Sequence, residues 1–395
     1  MRKVSFAVAI GLVVGACGGG EEPKVPEVAP PPVAATPPTT PAPTAEAPKE
    51  EPKPQPTMAE LQQKAMKGYL DAMNAHDAKK IASFYTEDAV VQVAGAPEAK
   101  GREQIAANYQ KMFDAFSNMK TAANRVWMKG DVVVLEWAFT GTHSGDLHGI
   151  KATEKPVGLM GADLVWFTPE GQMKRHHVYY DAGTFMSQIG VSKQKARAVP
   201  TLPASPQIFN AGNAADEAKN VELTKMMDAA FEQKKEADFL GTLADSIEWD
   251  DMTQPETSKG KDSAKKWFQA MLKAFPDGKV ATTNSWGIGE YVIHEGNFTG
   301  THKGPLFGIQ PTKKTVNMHG LDIYQVKDGK VLKGWSYSNS AEMMTQLGLM
   351  KAPPAGEKKA DAKAPAAGEK KADAKAPAAG EKKADAKAPA APAKK

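Results

Sequence analysis

An internal repeat constrains the fold of this chain more than any other feature. The segment Phe139-Thr-Gly-Thr-His143 recurs as Phe298-Thr-Gly-Thr-His302, and Met186-Ser-Gln-Ile-Gly190 recurs as Met344-Thr-Gln-Leu-Gly348. The spacing between these segments is nearly the same in both copies, and a periodicity of this kind indicates one structural unit written twice. Two small domains therefore explain the central part of the chain better than one large domain.

The repeat divides the 395 residues into six segments. We expect domain 1 at residues 58–190 and domain 2 at residues 214–350, joined by a linker at 191–213 that contains three prolines. The remaining segments are a signal peptide at 1–16, a proline-rich tether at 17–57 and a tail at 351–395.

The amino terminus has the composition of a targeting segment. Two cations, Arg2 and Lys3, precede an apolar run that is too short to span a membrane, and the only cysteine of the chain is Cys17. The sequence up to Cys17 resembles the lipobox of bacterial lipoproteins, which implies cleavage before Cys17 and lipidation of that residue. A free buried thiol is the alternative. The resemblance, with no aspartate after Cys17, implies anchoring in the outer membrane.

The tether and the tail cannot form a core. Both lack large apolar side chains, so we expect them to be disordered, and an extended tether of this length would reach on the order of 100 Å. The tail carries a charge of +6 in a chain of net charge +4, which leaves −2 for the rest. This balance argues against nucleic-acid binding by the domains. The tail is either simply solvated or attracted weakly to anionic lipid, cell-wall polymer or a protein.

Each copy places helical patterns before strand patterns. Leu61, Ala65, Tyr69 and Met73 recur every four residues and predict a first helix with one apolar face. We expect a second short helix capped by Asp77 that carries Ile81, Phe84 and Tyr85, and a third after Gly101. Strand patterns follow at 125–128, 132–140, 157–167 and 173–181. Helices gathered ahead of an antiparallel sheet indicate an α+β fold.

The residues also resemble a known family. Domain 2 contains Gly-Ile-x-Pro-Thr-x-Lys-x-Val at 308–316, Gly320-x-Asp322, Asp328-Gly329-Lys330 and Trp335. These motifs are similar to those of the SnoaL-like polyketide cyclase or ester cyclase group of the nuclear transport factor 2-like superfamily. The resemblance implies two tandem cone-shaped α+β barrels, each with a curved sheet around helices and an apolar pocket. Domain 1 departs more, because His177 stands where the family has tryptophan.

The resemblance also implies a candidate acid–base residue, Asp181, on the last strand of domain 1. Strand alternation puts His177 and Tyr179 on the same face, so these three form the candidate catalytic set if that face is concave. The matching residues in domain 2 are Trp335, Tyr337 and Asn339, and an asparagine cannot accept the proton. We therefore expect domain 2 to be a binding or structural domain. The alternative role for Asp181 is to cap the helix that follows it.

Further candidates are polar residues that occur in both copies. Asp163 and Asp322 match each other and are expected to be mainly structural, with pocket binding as the alternative. His143 and His302 end the repeated motif and are either loop residues or polar groups at a pocket mouth. The histidines have no metal-binding spacing, and nucleotide-binding motifs are missing from the sequence, so we expect neither a metal nor a cofactor.

Two functions remain open from the sequence. The first is a cofactor-independent enzyme of cyclase, isomerase or lyase type, which acts on a small apolar carbonyl compound in domain 1. The second is a non-catalytic lipoprotein of the cell envelope that binds a hydrophobic small molecule or a protein. We also expect that the two domains pack sheet to sheet as a pseudo-dimer, or that the chain forms a homodimer.

Overall fold

The computed structural model describes residues 55–350. The predicted signal peptide, Cys17, nearly all of the tether and the tail lie outside these residues. Both domains belong to one compact unit. None of the described helices is long and apolar enough to cross a membrane.

Domain 1 begins with three helices, as its sequence pattern predicts. Thr57 and Glu60 form a reciprocal capping box at the start of the first helix, which buries Ala65, Tyr69 and Met73 on one side. Asp77 caps the second helix by accepting from the backbone N–H of Lys80. The elements are α1 (Met58–Asn74), α2 (Ala78–Ser83), β1 (Tyr85–Val93), β2 (Ala99–Lys100), α3 (Gly101–Ala115), β3 (Lys120–Lys129), β4 (Val132–Thr142), β5 (Pro156–Phe167), β6 (Met173–Tyr180) and α4 (Ala182–Gln188).

Domain 2 repeats this order after a short linker strand, β7 (Gln207–Asn210). Its first helix is capped by Asn213 and buries Met227 and Phe231, the counterparts of Tyr69 and Met73. The elements are α5 (Ala214–Glu232), α6 (Glu236–Gly241), β8 (Leu243–Asp251), β9 (Ser258–Lys259), α7 (Gly260–Ala274), β10 (Lys279–Ile288), β11 (Tyr291–Thr301), β12 (Thr315–Lys327), β13 (Lys330–Ser338) and α8 (Ser340–Gln346).

Each domain has one mixed sheet. The strand order is β2-β1-β6-β5-β4-β3-β7 in domain 1 and β10-β11-β12-β13-β8-β9 in domain 2. Neighbouring strands are antiparallel except for the pairs β1–β6, β3–β7 and β8–β13, which are parallel. The α+β class expected from the sequence is confirmed. The second helix is shorter than predicted, because it ends at Ser83 with Phe84 as its C-cap, and Tyr85 opens strand β1.

The two faces of each sheet pack against different partners. The inner face packs against the helices of its own domain; in domain 1 it contributes Val133, Leu135 and Val165 to that core. The outer faces of the two sheets meet each other. Val134 and Leu164 from domain 1 share one buried cluster with Ile293, Leu321 and Ile323 from domain 2. The space between an inner face and its helices is called the hollow below.

Two buried carboxylates lie in this layer between the sheets. Glu136 of β4 pairs with Arg125 of its own domain and accepts a hydrogen bond from Tyr337 of domain 2. Glu295 of β11 accepts hydrogen bonds from Tyr179 of domain 1 at 2.6 Å and from His177 at 2.5 Å. Each glutamate therefore bonds to a tyrosine of the other domain, and both have partners for their buried charge.

Candidate ligand cavity in the second domain

The structure corrects the placement of two candidate catalytic residues. His177 and Tyr179 alternate on β6 as predicted, but they lie on the outer face, where both contact Glu295 of domain 2. The inner face of β6 carries His176, Val178 and Tyr180 instead. The prediction that His177 and Tyr179 line a pocket of domain 1 is therefore wrong. The alternation of side chains along β6 was predicted correctly. The face that carries His177 and Tyr179, however, packs against the sheet of domain 2 instead of lining a pocket.

Asp181 is the N-cap of α4, as the alternative prediction proposed. Its carboxylate accepts five hydrogen bonds: two from the backbone of Gly183 and Thr184, one from the Thr184 hydroxyl, and two from the backbone and hydroxyl of Ser340 in domain 2. It is 2% exposed. A carboxylate with both oxygens occupied by donors is poorly placed to accept a further proton from a substrate.

Asn339 has the equivalent position in domain 2 and repeats this arrangement. It caps α8 by accepting from the backbone of Ala341, and its side-chain oxygen also accepts from the backbone of Ala182 at 3.3 Å. The two capping residues thus each bond to the first turn of the other domain's last helix. Trp335 and Tyr337 also face domain 1: the Arg125 guanidinium lies 3.6 Å from a Trp335 ring centroid, and Tyr337 donates to Glu136.

Large side chains fill the hollow of domain 1 around Asp163. Trp137 donates to Asp163 at 2.7 Å, and its ring covers Gly161 so closely that a Cβ there would lie 2.2 Å from it. His176 Nε2 is 3.1 Å from the other Asp163 oxygen, and its Nδ1 is 2.6 Å from the Tyr85 hydroxyl. Asp163 is therefore enclosed by aromatic groups, in agreement with a structural role.

The hollow of domain 2 is open because small residues replace these side chains. In domain 1, Gly161 pairs across the sheet with Trp137 and Tyr180. In domain 2, the matching Gly320 pairs with Gly296 and Ser338. A Cβ added to Gly320 would meet nothing closer than a backbone oxygen at 3.8 Å. Domain 2 therefore lacks both of the bulky aromatic side chains that flank this glycine position in domain 1.

The result is a cavity of about 860 Å³ in domain 2. Its walls are mainly apolar and aromatic, and Trp267 and Phe307 are partly exposed at its edge. Gln194 and Lys195, from the linker between the domains, also reach it. A cavity of this size and composition suits a small organic molecule.

Asp228 and His294 form an incompletely bonded polar pair in this cavity. Asp228 extends from α5 and His294 from the inner face of β11, with 3.4 Å between Asp228 Oδ2 and His294 Nδ1. Both of these atoms are buried and have no hydrogen-bond partner among residues 55–350, whereas His294 Nε2 lies 2.8 Å from the Thr282 hydroxyl. Buried polar atoms usually have partners, so this pair has capacity left for a ligand.

The titration of both groups is shifted toward their neutral forms. Burial, together with repulsion from Asp322 and Glu232, raises the pKa of Asp228 from 3.8 to about 8. Burial lowers the pKa of His294 to about 4. At neutral pH the carboxyl group is therefore mostly protonated and the imidazole is uncharged.

Two other carboxylates of the cavity have smaller shifts. Burial raises the pKa of Asp322 to about 6, against the opposing effect of hydrogen bonds with Ser336 and Tyr324. Burial also raises the pKa of Asp251 to about 6, although Thr253 donates to it at 2.8 Å and 2.9 Å. Both groups are largely ionised at pH 7. Asp322 and Asp163, although matched in sequence, therefore have different surroundings.

The repeated histidines hold loops in both domains. His143 and His302 are fully buried, and each Nδ1 lies near a threonine hydroxyl, Thr153 at 3.1 Å and Thr312 at 3.3 Å. The backbone of each histidine also bonds to the loop that follows. Neither residue borders the domain 2 cavity. This placement corresponds to the loop role considered from the sequence.

Sequence reasoning missed the two residues that carry the unpartnered atoms. Asp228 follows Met227 on the first helix, where domain 1 has Leu70, and His294 replaces Leu135. A polar residue at an apolar position of only one copy was the available signal. Within residues 55–350, no group of three or more histidine, cysteine or acidic side chains is arranged to hold a metal ion.

Comparison with known proteins identifies the family. The family model described as SnoaL-like polyketide cyclase matches residues 63–189 and again residues 221–347. These matches cover more than half of the chain, so the protein belongs to the SnoaL-like polyketide cyclase family, as a tandem pair of domains. The comparison with curated proteins gives no match.

Solved structures of single-domain proteins resemble part of the chain. A protein of Streptomyces galilaeus proposed to be a hydroxylase is 24% identical over 34% of this chain and 84% of its own, with a TM-score of 0.32. A proposed SnoaL-like polyketide cyclase of a Jannaschia species is 18% identical over 35% and 98%, with a TM-score of 0.33. A proposed polyketide cyclase of Streptomyces antibioticus is 23% identical over 33% and 98%, with a TM-score of 0.30.

Proposed function

We propose that the protein binds a small, largely apolar molecule in the hollow of domain 2, while domain 1 is a packed structural partner. The observation that carries this proposal is the open cavity with the unpartnered Asp228–His294 pair. Aromatic walls favour burial of an apolar body, and two unbonded polar atoms favour a ligand with one polar group. This is the binding alternative from the sequence, now assigned to one domain.

A fluorescent probe tests the proposal. N-phenyl-1-naphthylamine, which is neutral and apolar, should bind the full chain with 1:1 stoichiometry and a rise in emission. Ser338→Tyr restores the side chain of domain 1, and Gly320→Leu grows into open space. Each should weaken binding at least about tenfold, because the space for the probe is lost. Ser83→Tyr, at an exposed site of domain 1, is the matched control.

Two results would defeat this proposal. One is that the wild type fails to bind the probe. The other is that binding persists unchanged in both filled variants although circular dichroism and melting show that they are folded.

Acid–base chemistry in the same cavity is a second candidate function. The specific observation is that Asp322 and Asp228 titrate on opposite sides of neutrality, with pKa values of about 6 and about 8. Such a separation provides one carboxylate that can accept a proton and one carboxylic acid that can donate a hydrogen bond. Asp322 would remove a proton next to a carbonyl group, and Asp228 would stabilise the enolate oxygen.

Hydrogen–deuterium exchange at the α-carbon of 2-tetralone tests this chemistry. The full chain should accelerate exchange in deuterated buffer, and Asp322→Asn should reduce the acceleration at least about a hundredfold. Asp181→Asn distinguishes the two domains. If Asp181→Asn abolishes exchange while Asp322→Asn does not, the catalytic site lies in domain 1 as the family resemblance implied.

We propose that the protein is anchored in the cell envelope through lipidation of Cys17, as the lipobox-like sequence suggests. Metabolic labelling with a radioactive fatty acid should mark the wild type and leave Cys17→Ser unlabelled. Label in the variant, or none in either protein, would count against lipidation at this residue.

A further inference from the structure

We infer that the molecule bound in domain 2 carries an organic cation, such as a substituted ammonium group, on an apolar body. This inference rests on the proposed function, since it uses the same cavity, and it names the charge of the ligand. Three observations support it: cavity carboxylates without a cationic partner among residues 55–350, aromatic rings that line the same cavity, and a buried nitrogen without a hydrogen-bond partner among these residues.

Within the part of the chain that the structure describes, the cavity carboxylates have no cationic partner. Asp228, Asp251 and Asp322 all border the cavity, and among residues 55–350 none of them lies within 4.0 Å of a lysine or arginine nitrogen. Their neighbours within hydrogen-bonding or ion-pairing distance are hydroxyl groups, the backbone N–H of Thr253 and one uncharged histidine. Buried charges in proteins are normally paired, so a positive group from outside would complete this site.

Aromatic rings line the same cavity. The rings of Trp249 and Trp267 are nearly parallel at 19°, with centroids 6.3 Å apart, and Phe239 stacks on Trp267 at 6.1 Å. All three border the cavity, as does Phe231. The faces of such rings carry partial negative charge and attract ammonium groups, more strongly when water is excluded.

An unpartnered atom gives an independent sign of a ligand. His294 is 4% exposed, borders the cavity, and has a buried Nδ1 without a hydrogen-bond partner. An uncharged imidazole nitrogen can accept a hydrogen bond from an N–H or O–H group of a ligand. The cavity therefore offers hydrogen-bond acceptors, both from His294 and from the carboxylates.

Other titratable groups interact with Asp228 or border the same cavity. They lie on its own helix, on β8, on β11 and on β12: Glu232, Asp251, His294, His319, Asp322 and Tyr324. The cationic side chains Lys195 and Lys266 border the cavity at exposed positions, and Lys195 pairs with Glu256 at 2.5 Å. His319 pairs with Glu342 at 2.8 Å. The inner groups are thus predominantly acidic, and the fixed positive charges lie at the rim.

Two isosteric probes separate charge from shape. Benzyltrimethylammonium and its neutral carbon analogue neopentylbenzene have nearly the same size. The full chain should bind the cation about tenfold more tightly or better, the range expected for partly desolvated cation–aromatic and charge contacts. Asp322→Asn and Asp228→Asn should each reduce this preference at least about threefold, whereas Asp216→Asn, an exposed change on the same helix, should leave it unchanged.

The outcomes distinguish this inference from the proposed function. Equal or weaker binding of the cation overturns the inference and leaves apolar binding intact. Failure of both probes and of N-phenyl-1-naphthylamine overturns both. Preference for the cation that survives in both folded variants also overturns the inference, because the charge would then be recognised elsewhere.

Proton release provides a second measurement. A cation bound beside Asp228 favours the ionised carboxylate, so binding should expel a proton at pH 7 and strengthen between about pH 6 and pH 8. Calorimetry in buffers of different ionisation enthalpy measures this proton. Its absence in the wild type, or its persistence in Asp228→Asn, would contradict the role assigned to Asp228.

Discussion

Asp163 and Asp322 occupy the same position in the two domains, but Trp137 donates to Asp163 while Gly296 leaves Asp322 beside a cavity. One duplicated carboxylate is thus a closed structural group and the other borders an open space. The difference arises in the neighbouring strands, and not in the carboxylate itself. Duplication therefore allows one copy to keep a packed core while the other keeps an open cavity.

Removal of Trp137 should destabilise domain 1 strongly. Trp137→Ala creates a void over Gly161 and removes the hydrogen-bond donor to Asp163, so we expect the free energy of unfolding to fall by about 4 kcal/mol. Urea unfolding followed by circular dichroism measures the change.

Trp267 offers a matched control for that substitution. It is 38% exposed at the edge of the domain 2 cavity, so Trp267→Ala should cost less than about 2 kcal/mol. Equal losses for both tryptophans would contradict the view that only the domain 1 hollow is filled.

Removal of the Asp181 carboxylate should reduce stability through the loss of a shared cap. Asp181→Ala deprives the first turns of α4 and α8 of an acceptor, and we expect a loss of about 2 kcal/mol. Asp77→Ala removes a single capping bond on α2 and should cost about 1 kcal/mol. Thermal melting checks both. If Asp181→Ala is the milder change, the shared cap has little energetic weight.

Sequence patterns predicted the repeat, the first helices and the capping residues because these depend on local spacing. The four-residue apolar period of α1 and the position of Asp77 need only neighbouring residues to be understood. Which side of a strand faces a pocket depends instead on residues that are distant in the sequence. For His177 and Tyr179 it depends on Glu295, which lies more than a hundred residues away.

The open cavity could not be predicted from one copy alone. Its size follows from Gly296 and Ser338, residues that would ordinarily indicate flexibility or a solvated strand. The strand register shows that they take the positions of Trp137 and Tyr180. An alignment of the two copies could have found them, since it places these small residues of domain 2 opposite bulky residues of domain 1.

Loss of His177 should weaken the contact between the domains. His177→Leu leaves Glu295 buried with only Tyr179 and Asn284 as donors, so the free energy of unfolding should fall by about 3 kcal/mol. Tyr337→Phe, the comparable change at Glu136, should cost about 1 kcal/mol because Arg125 still neutralises that carboxylate.

Glu295 also gives this contact a dependence on pH. Burial alone would raise the pKa of Glu295, but the hydrogen bonds and charge of His177, with Tyr179 and Asn284, outweigh it and lower the pKa below 4.5. The stabilisation is therefore complete above about pH 4.5 and is lost as pH falls through the folded pKa. Glu295→Gln should flatten the acid side of a stability–pH curve. If stability falls at acid pH as much in Glu295→Gln as in the wild type, other carboxylates control the loss of stability.

Asp228 should produce the opposite pH dependence. Its folded pKa of about 8 lies above the ordinary value of 3.8, so between these values the unfolded chain binds fewer protons and stability falls as pH rises. Asp228→Asn should therefore match the wild type near pH 4 and exceed its free energy of unfolding by about 5 kcal/mol at pH 8. Asp216→Asn, exposed on the same helix, should change neither value by more than about 0.5 kcal/mol. Urea unfolding at both pH values makes the comparison, and parallel curves for the wild type and Asp228→Asn would show that Asp228 is ionised in the folded protein.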